Sequence, residues 1–300
     1  MMTAARTALA LTSLALASLP PARALSPPDL DENVPWELDS GDRGPIGTGR
    51  IEAAFDAARR AEEKQLDLPE GSLGELTLPS EEDWAALGVA AKALAIVNAE
   101  RVARAGIPYP DGAPLGLPLD GVERHLDALA QDYADYMLAN DFWGHEAPPD
   151  GPSPFAGTDP FERIDAAAVI GEGRGTDGGD CHAFLGQAEN LAIYAVSAGE
   201  VRAPVARAVY DFLYADAGSD WGHRRLLLLQ DEPLDGGSGG FDDDAGTVGR
   251  EGFIGVGTAG ATDGSYPVFE DTGTFPVQRN VVLLLIDPVP DEGCAYDVAG

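Results

Sequence analysis

Four histidines occur in the 300 residues, and two of them stand where chemistry could be done. His223 lies in DAGSDWGHRRLLLL, Asp216 to Leu229, between a tryptophan and an apolar run. His145 lies in NDFWGHEAP, and Glu189 in QAENLAIY. Two imidazoles and a carboxylate gathered from distant points could bind a divalent metal or move protons, because imidazole is a nitrogen ligand that titrates near neutrality. The spacing is not that of an HExxH pair on one helix face, so only the fold can bring them together. The alternative reading is a packed tryptophan beside a surface His-Arg pair.

The elements that would position these residues follow from periodicity. Leu25 to Gly49 is rich in Pro, Asp and Gly, and reads as a disordered acidic lead-in. Ile51, Ala54, Phe55, Ala58 and Ala61 share one face of a helix over Arg50 to Leu66, expected to pack on the main domain or to bind a partner. Asp67 to Pro79 breaks the pattern, so residues 25–79 form an N-terminal segment and the main domain should span 80–300. Ser80 and Asp83 open a long helix to about Ala105, stopped by Gly106 and Pro108. Asp120 with Glu123 caps a second helix to about Ala139, which places His145 in the loop beyond it. Asp159, Pro160 and Glu162 start a third helix. Ala188 to Val196 reads as a strand carrying Glu189, and Ala203 to Ala215 as a fourth helix, with His223 after it. Phe253 to Ala259 and Val281 to Ile286 read as strands, the second apolar throughout, as a strand covered on both faces would be. Helices first and strands late predict an α+β domain.

Composition bounds the partners. There are 51 acidic and 19 basic residues, a net charge of −32, and Lys64 and Lys92 are the two lysines. Such a surface repels nucleic acid and anionic membranes. Residues 1–24 read as a signal peptide: Arg6, an apolar stretch from Thr7 to Leu19, and Ala22-Arg23-Ala24 as a cleavage site. That stretch is too short to span a bilayer, so the expectation is an exported protein without a membrane span. Export makes a disulfide between Cys181 and Cys294 the default, with two free thiols the alternative.

Several motifs fail on context. Gly255 to Gly260 fits GxGxxG, but Thr262, Asp263, Gly264 and Pro267 follow where a helix is needed. Gly236, Ser238 and Gly240 fit GxSxG, but inside a glycine-rich loop. Asp242, Asp243 and Asp244 lack EF-hand spacing. His125 reads as a surface residue and His182 as a neighbour of Cys181.

The ordered set IVNAERVARAG, LDALAQDYADYMLANDFWGHEAP, DPFERI, AENLA, GHRRLLL, FIGVG and VVLLLIDP resembles the CAP superfamily (the SCP domain), in its secreted bacterial branch. The resemblance covers about Ser80 to Pro288. It implies a three-layer α-β-α sandwich around an antiparallel sheet, with a cleft holding two histidines and two acids. His145, Glu189 and His223 match three of them. Asp216 is the nearest candidate for the second acid, and Asp211 a weaker one. Cys181 and Cys294 resemble a pair in bacterial relatives. Zinc, or calcium, is the implied ion, with Asn190 and Ser219 either hydrogen-bonding to the residues that hold it or serving ordinary turn and capping roles. The expected function is a secreted, monomeric binding module for a metal ion or a small apolar or cell-surface ligand. The alternatives are a metal-assisted hydrolase with Glu189 as general base, and a structural surface protein.

Overall fold

The computed structural model describes residues 8–10, 24–38, 46–107, 117–148, 157–167, 170, 172–173, 184–196, 199–231, 252–262, 277–288 and 294–299. Helices and one mixed sheet build an α+β fold. The helices are α1 (Thr48–Gln65), α2 (Glu81–Ala86), α3 (Val89–Ala103), α4 (Arg124–Ala139), α5 (Pro160–Ala166), α6 (Pro204–Tyr214) and α7 (Gly222–Leu228). The strands are β1 (Ala8–Ala10), β2 (Ala24–Leu25), β3 (Gly121–Glu123), β4 (Glu172–Gly173), β5 (Phe184–Val196), β6 (Gln230–Asp231), β7 (Phe253–Ala261), β8 (Val277–Pro288), β9 (Cys294–Ala295) and β10 (Val298–Ala299).

The main sheet runs β1-β5-β8-β7-β3-β10. The long ladders β5–β8 and β8–β7 are antiparallel, with Glu189 opposite Leu284 and Asn190 opposite Leu283. The expected sheet was wholly antiparallel; β3 instead lies parallel to β7. The pairing takes Gly121 to Glu123 out of reach of a helix. So the second helix starts at Arg124, with the Glu123 side chain accepting from Leu126 N, rather than at Asp120.

Alternation along the strands separates two cores. Ala188, Ala192 and Tyr194 of β5 and Val281, Leu283 and Leu285 of β8 share a cluster with apolar residues of α1, α2, α3, α6 and α7. Leu191 and Val282, Leu284 and Ile286 share the other with α4 and Ile164 of α5. The glycines of the rejected GxGxxG serve this packing. A Cβ at Gly255 would overlap the Leu126 backbone, and one at Gly257 the Ala130 carbonyl, so their absence lets α4 lie close on β7.

The single helix expected from Ser80 to Ala105 is two. Ser80 caps α2 by accepting from Asp83 N, the chain turns extended at Leu87, and Gly88 is the N-cap of α3. The lead-in also differs from expectation. Leu30 is buried, and residues 28–36 run against α6 and the turn after it. Ile51, Phe55 and Ala58 of α1 are fully buried in the first core. The return from Gly71 to Leu78 is fastened along α1, whose Glu63, Asp56 and Glu52 carboxylates accept from the amides of Leu73, Leu76 and Leu78. Between α1, α3 and α7 lies a buried ion network. Glu62 binds Arg104 and Arg224, and Glu100 binds Arg59, Arg104 and the Tyr214 hydroxyl.

Candidate functional site

β5 carries the centre of the site. Glu189 and Asn190 are successive strand residues, so they face opposite sides of the sheet. On the α4 and α5 side, Glu189 Oε1 is 2.9 Å from Nδ1 of His145, and Oε2 is 2.9 Å from the Arg163 guanidinium. Arg163 also donates to the carbonyls of His145 and Thr158 and lies 3.6 Å over the Tyr133 ring. The Tyr133 hydroxyl donates to the same His145 carbonyl, and burial pushes its phenol well above the usual range. His145 stands in the loop after α4, as its sequence context implied, held at both backbone and ring.

On the α7 side, Asn190 Nδ2 donates to the His223 carbonyl at 3.3 Å. His223 comes after α6, as expected, and is the second residue of α7, a short helix that the sequence reading did not mark. Its Nδ1 lies 2.7 Å from Asp216 Oδ1. Asp216 Oδ2 accepts from the backbone N–H groups of His223 and Arg224, so one carboxylate orients the ring and caps the helix that carries it. Phe212 stacks on the ring with centroids 5.0 Å apart. Asp211, the weaker candidate for the acid, turns elsewhere, accepting from Tyr194 and Arg207.

An ionised carboxylate only accepts, so Nδ1 carries the proton in both pairs. In the neutral ring the lone pair then stands on Nε2. That atom of His223 is buried and has no hydrogen-bond partner among the described residues, and the same holds for Asn190 Oδ1 and Ser219 Oγ. The turn delivering His223 is strained: Asp220 (φ 51°) and Trp221 (φ 59°) are both left-handed, a conformation that costs a non-glycine residue on the order of 1 kcal/mol or more. The Trp221 amide bonds back to the Asp216 carbonyl, and its side chain is buried.

The donor chemistry fits imidazole nitrogen ligands with carboxylates behind them. Among the described residues, no group of three or more His, Cys, Asp or Glu is placed to hold a metal ion together. His145 and His223 are instead each paired with a carboxylate of their own. His125 is half-exposed and binds Glu123. Cys181, His182, the GxSxG match and Asp242 to Asp244 lie outside the described residues; Cys294 lies in β9, its backbone opposite Gly173. Among the described residues no helix is long and apolar enough to cross a membrane.

Two features escaped the sequence reading. The buried partners of Arg163 are one, and the joint of Glu62 with Arg104 and Arg224 is the other; the sequence reading assigned these residues no role. The signal for Glu62 was present: it continues the spacing Ile51, Phe55, Ala58 on the apolar face.

Comparison with protein-family models, with curated proteins and with solved structures gave no match.

Proposed function

We propose that the protein is a secreted CAP/SCP-type binding module, a three-layer α-β-α sandwich that acts without turnover. Its cleft takes a divalent ion, zinc or alternatively calcium, with Nε2 of His223 as a ligand and His145, Glu189 and Asp216 as the other proposed cleft residues; a small apolar or cell-surface ligand is the other candidate occupant. The observation that carries this reading is the His223 ring. Asp216 holds its Nδ1, while its buried Nε2 has no partner among the described residues. A buried acceptor left unsatisfied is costly, and a bound ligand would relieve that cost. The two apolar clusters on alternate faces of β8 support the sandwich.

The hydrolase reading is weaker. Both Glu189 oxygens are engaged, one by His145 and one by Arg163, so this carboxylate orients an imidazole rather than standing open to a water. The test is calorimetric titration of zinc, then calcium, at high salt to suppress diffuse binding to the acidic surface. The expected result is one saturating site in the protein and none in the His145→Ala/His223→Ala variant. Equal uptake by both, or uptake by neither, overturns the ion reading.

A further inference from the structure

The turn from Tyr214 to Arg225, which bears Asp216 and His223, is held from outside by a segment far away in sequence. The Val34 amide donates to the Tyr214 carbonyl at 2.7 Å. Asn33 Oδ1 accepts from the Ala217 amide at 2.8 Å, one residue beyond Asp216. Arg224 donates to the Pro28 carbonyl, and Arg225 forms a two-pronged pair with Asp29 at 2.9 and 2.8 Å. Trp36 packs edge-on against Tyr210, with ring centroids 5.0 Å apart. The segment is itself tied to α1, because Glu32 and Gln65 exchange two hydrogen bonds, and Glu62 of α1 binds Arg224. Contacts therefore fall at both ends of the turn and beside Asp216.

The turn needs such support. Two successive left-handed non-glycine residues persist only where the surroundings over-determine them. Within the turn, Asp216 supplies bonds to Trp221, His223 and Arg224 through its carbonyl and carboxylate. Whatever moves Asp216 therefore moves His223. The Asn33 bond closes on the residue after Asp216, and the Asp29 pair on the second residue after His223.

We propose that residues 28–36 form a strap that positions His223, with Asn33 and Asp29 as positioning residues: the strap holds Asp216 against Nδ1 and so keeps Nε2 as the bare acceptor. This stands on the geometry of the turn and holds whichever ligand the cleft takes.

The test is Asp29→Ala/Asn33→Ala, both changes at exposed contacts that leave the core and the two cleft pairs untouched. Far-UV circular dichroism checks that the fold is retained; should the double variant fail to fold, Asn33→Ala is read alone. Amide exchange at Ala217 and His223 should quicken about tenfold, the scale of losing a surface charge pair and a hydrogen bond together. In long-range proton–nitrogen spectra the His223 ring should move from a single Nδ1–H tautomer toward an average of two, with His145 unchanged. Asn33→Asp, which keeps an acceptor for the Ala217 amide, should leave the His223 signals as in the unaltered protein. Faster exchange with an unaltered His223 ring would make the strap a stabiliser only and overturn the proposal. So would unaltered exchange.

Discussion

Acid should unlock the joint between α1 and the rest of the fold, and Glu62 is the group through which it acts. Its carboxylate is fully buried. Burial alone would raise its pKa, but the guanidinium groups of Arg104 and Arg224 outweigh that and hold it down to about 2, against an ordinary value of 4.5. A depressed carboxylate contributes stability that is complete above its unfolded pKa and is lost as pH falls toward its folded pKa. The window here runs from about pH 5 down to about pH 2. At 1.36 kcal/mol per unit, the loss across it is about 3 kcal/mol. Many other acids titrate over the same range, so the measurement must be a difference. Glu62→Gln removes this titration and leaves two buried arginines short of a partner, which costs about 3–5 kcal/mol at neutral pH. Denaturant unfolding of both proteins between pH 7 and pH 2, at 0.5 M salt or above to damp the general charge effect, gives the gap at each pH. The gap should be wide and flat down to about pH 5, then narrow by about 3 kcal/mol. A gap of constant width to pH 2.5 would refute the reasoning. So would a gap that collapses with salt at neutral pH, because a buried network is screened little.

Other outcomes follow from single contacts. Gly257→Ala should destabilise by about 1–3 kcal/mol in denaturant unfolding, since its Cβ has no room beside the Ala130 carbonyl; an unchanged midpoint would show that α4 can lift off β7 at no cost. Glu189→Gln leaves Arg163 buried without its carboxylate and should cost about 3–5 kcal/mol in the same assay, while releasing the His145 ring in proton–nitrogen spectra. Unfolded without reductant, the protein should offer no reactive thiol if Cys181 and Cys294 are bonded as their resemblance implies; titration of two thiols would exclude the bond.

The periodic parts of the chain were legible. The apolar face of α1, the Asp159-Pro160 start of α5 and the apolar run of β8 announce themselves through local spacing and capping chemistry, and each is where that reading put it. The failures are tertiary. Gly88 reads as a tolerated interior glycine, because nothing local says that the chain must turn there between α2 and α3. Gly121 to Glu123 has no strand pattern of its own; pairing with β7 and β10 makes it one. The lead-in lacks periodicity, which suggested disorder, yet it is bound by discrete contacts to α6 and the His223 turn that composition cannot reveal. In the site, His145, Glu189 and His223 were visible as unusual residues in suggestive contexts. Their division into two imidazole–carboxylate pairs was not, because it depends on the fold bringing Glu189 of β5 to His145 and Asp216, in the turn before α7, to His223.

The central claim is that His223, fixed at Nδ1 by Asp216, presents its buried Nε2 to the occupant of the cleft. The most direct test is a long-range proton–nitrogen spectrum of the four histidines during zinc addition at high salt. One equivalent should move the Nε2 resonance of His223, leave its Nδ1 protonated, and spare His125. Zinc that leaves the His223 ring unmoved would contradict it.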